Sequence, residues 1–168
     1  PLDVVDSRKG KTIEIGHTDA EGRVVLADGL ALACEGKPDL ILDFATLTGA
    51  ARVALGTELP ALFSNNDTLA NDLLAGGTAE DDHMWRLPLW KPYRKLIDAK
   101  TGDLSNESAA PYGGAITAAL FLEEFVEADI PWAHMDVMGW NTSSQAGKPE
   151  GGEAMGLRAA FHMIKNRF

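Results

Sequence analysis

Hydrophobic positions near the start of the chain change period twice. Thr12-Ile13-Glu14-Ile15 alternates apolar with polar and predicts a strand. Over residues 23–35 the period lengthens. Val24, Ala27, Ala31 and Cys34 fall on one helical face, which Leu26 and Leu30 widen. Gly36 and Pro38 then close the helix. Residues 39–45 form a nearly continuous apolar run, the mark of a strand covered on both faces, and residues 60–64 read as another strand. Residues 67–74 read as a helix with Asp67 as its cap.

The second half follows the same rhythm. Residues 98–114 are rich in Gly, Ser, Asn and Pro and read as a long loop, a class that is usually functional or interface-forming in compact domains. Residues 115–128 predict a helix whose broad apolar face carries Ile116, Ala119, Leu120, Phe121 and Phe125, with Glu123, Glu124 and Glu127 opposite. Pro131 stops it, Trp132-Ala133-His134-Met135-Asp136-Val137 resumes as a strand, and residues 153–165 predict a last helix. Short apolar runs alternating with helical segments indicate an α/β layered domain. There is no internal repeat, low-complexity tract or linker, so the expectation is one domain.

Composition narrows the function classes. A chain of 168 residues with 45% hydrophobic content can bury a real core. A formal net charge of -10 with no basic cluster argues against a nucleic-acid surface and favours a small-molecule or protein partner. No apolar run is long enough to span a bilayer, so no membrane partner is expected. Cys34 is the only cysteine, which excludes a disulfide framework and a thiolate zinc site; it reads as a packed thiol on the helix's apolar face. His83, His134 and His162 lack metal-ligand spacing, and His134, inside a strand, reads as a hydrogen-bonded interior residue. Gly113-Gly114 before a helix fits either an anion site or close helix packing. Trp85, Trp90, Trp132 and Trp140 read as buried or interface anchors. No G-x-S-x-G elbow supports a serine hydrolase.

The chemistry concentrates in His17-Thr18-Asp19-Ala20-Glu21-Gly22-Arg23. Two hard carboxylates in one tight turn can reach one cluster of divalent ions, and a bridging carboxylate is what a two-metal hydrolase needs. Arg23, always charged, offers a fork of donors to an anion or a developing oxyanion. Gly22 lets the backbone approach closely. The same string fits a capping box, Thr18-x-x-Glu21, with acids complementing the helix dipole. The two readings are compatible, because a helix start is a rigid mount for ligands.

Thr18-Asp19-Ala20-Glu21-Gly22-Arg23, preceded by Gly10-Lys11-Thr12-Ile13-Glu14-Ile15, resembles the signature of the leucyl (cytosol) aminopeptidase family, the M17 metallopeptidases. Ordered matches follow. They are Leu26-Ala27-Asp28, then residues 43–50 (DFATLTGA), residues 113–122 (GGAITAALFL), Trp132-Ala133-His134-Met135-Asp136 and Gly151-Gly152-Glu153-Ala154. The resemblance implies a mixed β-sheet sandwiched between helices, corresponding to the C-terminal portion of the catalytic domain. It implies removal of N-terminal residues such as leucine from peptides by a water activated between two metals. Asp19 would ligate one ion, Glu21 would bridge both, and Arg23 would be catalytic, holding a bicarbonate that acts as base. Thr46, Leu47, Gly49 and Met138 would line the substrate cleft. Zinc or manganese, or magnesium in their place, a cytoplasmic location and a hexamer facing an enclosed cavity are further implications.

Two departures qualify that pattern. His17 stands where the common signature has asparagine, and is expected beside the metals rather than on them. Met138 stands where many members have a smaller residue, which reshapes the pocket. The chain opens on Pro1 and reads as the middle of something longer. The family's N-terminal domain, and the stretch supplying further metal-binding lysine and aspartates and a second catalytic lysine, are expected outside it; Lys9 and Lys11 do not stand in. The isolated chain is therefore expected to bind metal weakly, to be inactive, and to expose an unpaired sheet edge. The alternative reading is a short non-catalytic relative that serves as a protein-assembly module.

Overall fold

In the computed structural model, which describes residues 1–168, the period changes become strands and helices in the expected order. The first stretch gives β1 (Val4–Asp6), β2 (Thr12–Glu14), α1 (Glu21–Glu35), β3 (Ile41–Ala45) and α2 (Gly49–Leu55). Next come β4 (Ala61–Ser64), α3 (Asp67–Ala79), β5 (Trp85–Arg86) and β6 (Leu104–Ser105). The chain closes with α4 (Gly114–Glu123), β7 (Trp132–Asp136), β8 (Trp140–Asn141), β9 (Gly151–Gly152) and α5 (Leu157–Arg167). This is a mixed α/β fold. Two compact units share the chain, each assembled from two separated stretches: residues 1–41 with 89–132, and residues 42–88 with 133–168.

In the first unit β2 pairs antiparallel with β1 and parallel with β6, setting Ile13 opposite Leu104. Both of those side chains are fully buried. Helix α1 buries Ala27, Leu30, Ala31 and Cys34 and packs on α4. Gly36 ends α1 but stays right-handed; the left-handed residue is Lys37, at φ 47°. The Cys34 thiol is a packed one, taking the Glu127 N–H at 3.4 Å.

Helix α4 corrects the amphipathic reading. Ala115 and Thr117 through Leu122 are all buried, and Ile116, assigned to the apolar face, is the partly open one. A helix enclosed all round must be apolar all round, so the sequence carries no polar stripe to read. It also stops at Glu123, five residues early, because Phe125 and Val126 donate to carbonyls three residues back and tighten the last turn. Glu123 is held by Lys91, and Glu124 by Lys11 and Arg94.

Burial pushes the Glu124 carboxyl up, but the hydrogen bonds from Lys11 and Arg94 outweigh it and leave it below the ordinary glutamate value. A folded-state value lower than the unfolded one stabilises above the pH at which a free glutamate titrates. That contribution is lost as pH falls through the lowered value. Glu124→Gln is expected to cost about 1 kcal/mol at neutral pH, given its partial exposure. In urea unfolding at pH 7 and pH 3, the gap between variant and parent should close at the acid end.

The second unit centres on a mixed sheet ordered β3-β7-β4-β5. Val137 N–H donates to Ala45 O, joining the ends of β7 and β3. Strand β4 runs antiparallel to β7, with Phe63 opposite His134, and parallel to β5. Strands β7 and β4 are buried at every position, so both faces are covered there. β3 is not: it lies at the sheet's edge and leaves Phe44 41% exposed, although its apolar run reads as two-sided burial.

Helix α3 packs on β4 and against α5. The two helices approach so closely at Gly76 that a Cβ there would fall 2.6 Å from Ala159 O. The cap of α3 is Asn66, whose side chain accepts the Leu69 N–H at 2.9 Å; Asp67 instead pairs with Arg86. Asp82 caps α5 from a distance, accepting the N–H groups of Gly156, Arg158 and Ala159. Along its outer side α5 exposes Leu157, Phe161, Ile164 and, just past its end, Phe168.

Candidate functional site

Asp19 sits in a single 3-10 turn, Thr18–Ala20, that runs directly into α1. The residue that caps this turn is His17, whose Nδ1 accepts the Asp19 N–H at 3.1 Å. The capping box anticipated from Thr18-x-x-Glu21 does not form. Thr18 is exposed, and Ala20 at the start of α1 offers no side-chain cap. The intervening 3-10 turn moves the helix start past Thr18, so its hydroxyl meets no helical N–H. Thr18→Ala is expected to change stability by less than about 0.5 kcal/mol, against the ~1 kcal/mol a working cap supplies; thermal unfolding of the chain checks it.

What fixes the turn is Asn106, a fully buried residue in the long loop. Its Oδ1 accepts the His17 N–H at 3.1 Å, and its Nδ2 donates to His17 O at 2.8 Å and Ala20 O at 3.3 Å. Its backbone N–H donates to Glu14 O, and its own carbonyl accepts from Arg23 Nη1 at 2.9 Å. One residue thus positions both the turn bearing Asp19, through its side chain, and the guanidinium two residues beyond Glu21, through its backbone carbonyl. No local pattern marks it; a buried polar residue acting across 83 positions leaves no periodic trace.

The carboxylates of Asp19 and Glu21 are exposed and take no hydrogen bond or ion pair from the chain. Beside them, His17, Arg23, Asn106, Glu107 and the start of α4 at Gly114 border an open cleft of ≈ 370 Å³. Oxygens with no internal partner, on a turn held rigid from behind, suit hard divalent cations. The donor set is partial, however. Nowhere in the chain do three His, Cys, Asp or Glu side chains converge as metal ligands.

The other four expected site residues gather within the second unit. Thr46 is the exposed residue after β3, Leu47 and Thr48 follow, and Gly49 opens α2. Met138 lies two residues past β7, beside Gly139, whose φ is +67° and where a Cβ would crowd Thr46 Cγ2 at 3.2 Å. Asp43 braces the neighbouring strand by accepting from His134 Nδ1, which confirms His134 as an interior, hydrogen-bonded residue. Asp136, assigned no role from the sequence, bonds directly to the Leu47–Thr48 turn.

Residues 1–161 match the family model described as the cytosol aminopeptidase family, catalytic domain. A probable cytosol aminopeptidase of Synechococcus sp. (strain WH7803) is 47% identical over 99% of this chain and 34% of its own length. A counterpart from Prochlorococcus marinus (strain MIT 9312) shows the same identity and coverage. The chain spans about a third of the length of the curated relatives it matches. Among solved structures, a cytosol aminopeptidase from Coxiella burnetii superposes with a TM-score of 0.96 at 56% identity, over 100% of this chain and 37% of that one. The bottromycin maturation enzyme BotP in complex with Mn gives 0.90 at 42%, over 98% and 37%.

Proposed function

The chain belongs to the cytosol aminopeptidase family, and from that premise we propose that it supplies part of the active site of a metal-dependent enzyme that removes N-terminal residues, leucine among them, from peptides. The observation that carries this reading is the turn at residues 18–21. Two carboxylates without partners stand on a braced helix start beside an arginine.

In this reading Asp19 and Glu21 would hold divalent ions, with Glu21 the candidate for a shared ligand. Manganese is supported by the BotP complex, and zinc and magnesium suit the same oxygens. Such ions make a bound water acidic enough to attack an amide at neutral pH. Arg23, held by Asn106 O, would orient a small anion such as bicarbonate, which could serve as a base there. Thr46, Leu47, Gly49 and Met138 receive the peptide's first residue and backbone. Two carboxylates do not complete two coordination spheres, and no third ligand joins them. The remaining ligands therefore come from outside these residues, and the 168-residue chain alone binds metal weakly and turns over little. We place the working enzyme in the cytosol as a homo-oligomer, the hexamer of its family.

The test uses the protein as its cell makes it, incubated with unblocked and N-acetylated peptides and followed by mass spectrometry. Stepwise loss of residues from free amino termini only is expected. Internal cleavage, or none, would overturn the proposal. A second reading, a protein-assembly module, draws on the exposed Leu157, Phe161, Ile164 and Phe168 along α5. It predicts self-association without peptide release, which sedimentation and the same assay separate.

A further inference from the structure

Asp136 ends β7, is only 3% exposed and forms no ion pair. Its carboxylate is satisfied instead by one short stretch of chain. Oδ1 accepts the Leu47 N–H at 3.0 Å and the Thr48 N–H at 3.2 Å, while Oδ2 accepts the Thr48 hydroxyl at 2.6 Å. Thr48 Oγ1 in turn accepts the Ala51 N–H at 3.0 Å and so caps α2. All three donors come from the turn that carries Thr46, Leu47 and Gly49. Two residues beyond Asp136 along the chain lies Met138, and a Cβ built on the next residue, Gly139, would fall 3.2 Å from Thr46 Cγ2.

Burying a carboxylate is unfavourable unless its oxygens are hydrogen-bonded. The fold accepts that burden at the one point where the two halves of the first-residue pocket meet. With the Leu47 and Thr48 amides drawn inward, the groups left outward are the Thr46 side chain and the N–H of Gly49, neither taking a partner within the chain.

We propose that Asp136 is the positioning residue of the substrate pocket: it locks the 46–49 turn against the Met138 segment and thereby sets discrimination among N-terminal side chains. The inference rests on the aminopeptidase reading above and deepens it. Asp136 touches neither peptide nor metal. It acts through Leu47 and Thr48, whose displacement by a few tenths of an ångström changes pocket width and the direction of the Gly49 N–H. Loss of this lock is felt in substrate binding and selectivity before it is felt in the hydrolytic step.

The experiment measures kcat and KM for leucyl, methionyl and alanyl substrates in the full-length protein and in Asp136→Asn, Thr48→Val and Thr48→Ser. Asp136→Asn retains an oxygen for the two amides but gives the Thr48 hydroxyl a donor in place of its acceptor; Thr48→Val removes the hydroxyl itself. Both should raise KM for the preferred substrate about tenfold and narrow the leucyl-to-alanyl ratio of kcat/KM by a similar factor, with kcat held within about threefold. Thr48→Ser should restore the parent values. Should Asp136→Asn fail to fold, the two threonine variants carry the test. Unchanged KM and ratio in the folded variants, or a uniform fall in kcat across substrates, would overturn the inference while leaving the functional reading intact. An unmutated protein that releases no N-terminal residue would overturn the functional reading first, and the inference with it.

Discussion

Glu21→Gln is expected to lower kcat/KM by about 10³-fold or more, since several kcal/mol of transition-state stabilisation ride on the metals it would bridge and each ~1.4 kcal/mol is a factor of ten. The amide keeps the shape of the side chain but has one oxygen, and that oxygen is neutral; it cannot bridge two cations. Folding should hardly notice. Glu21 is exposed, takes no partner within the chain, and contributes only its favourable place in the first turn of α1. That contribution is worth roughly 0.5 kcal/mol at most on an exposed helix start. Asp19→Asn should show the same split. The checking measurement pairs steady-state kinetics of the full-length protein with its urea-unfolding midpoint. Activity and stability falling together would mean that Glu21 serves the fold, and activity unchanged would remove it from the metal site.

Asn106→Ala is expected to reverse that signature, destabilising the first unit by about 3 kcal/mol, because each buried polar group left without its partner costs roughly 1–3 kcal/mol. The His17 N–H, His17 O and Ala20 O all lose a bond at once. The variant keeps the backbone carbonyl that holds Arg23, but loosens the turn on which Asp19 stands. Activity should fall by one to two orders of magnitude, in line with the roughly 10–100-fold effect of losing a group that orients metal ligands. Amide hydrogen exchange checks it locally: protection at residues 17–21 should drop well before that at β7. Wild-type protection there would show that water substitutes for the side chain without consequence.

The parts of the fold that the sequence discloses are those whose cause is local. The alternation at Thr12–Glu14, the helical face of α1 and the apolar strand at β7 are visible because burial writes itself into neighbouring residues. The two-residue strands β5, β6, β8 and β9 are too short to carry a period. Helix α4 hid its own geometry by being apolar throughout. In the site, the acidic turn was legible because its chemistry lies within five residues. Its supports were not. Asn106 acts on the acidic turn, and Asp136 on the 46–49 turn, from 86 to 89 positions away, and no pattern in the intervening chain announces the partner. The capping box shows the opposite error. A local string with the right spacing was overridden by an extra turn, capped by His17.

The interleaving of the two units has a meaning for synthesis. The first unit needs residues 89–132 to join residues 1–41, and the second needs residues 133–168 to join residues 42–88. A chain emerging from the ribosome therefore holds no finished unit until residue 132 has cleared the exit. Until then β2 waits without β6, and β4 waits for β7 long after it has emerged. Domains that close early fold as they appear, whereas pairings at long sequence separation are slow and leave strand edges open meanwhile. The interval between the emergence of β2 and β6, and of β4 and β7, is where chaperones would meet open strand edges.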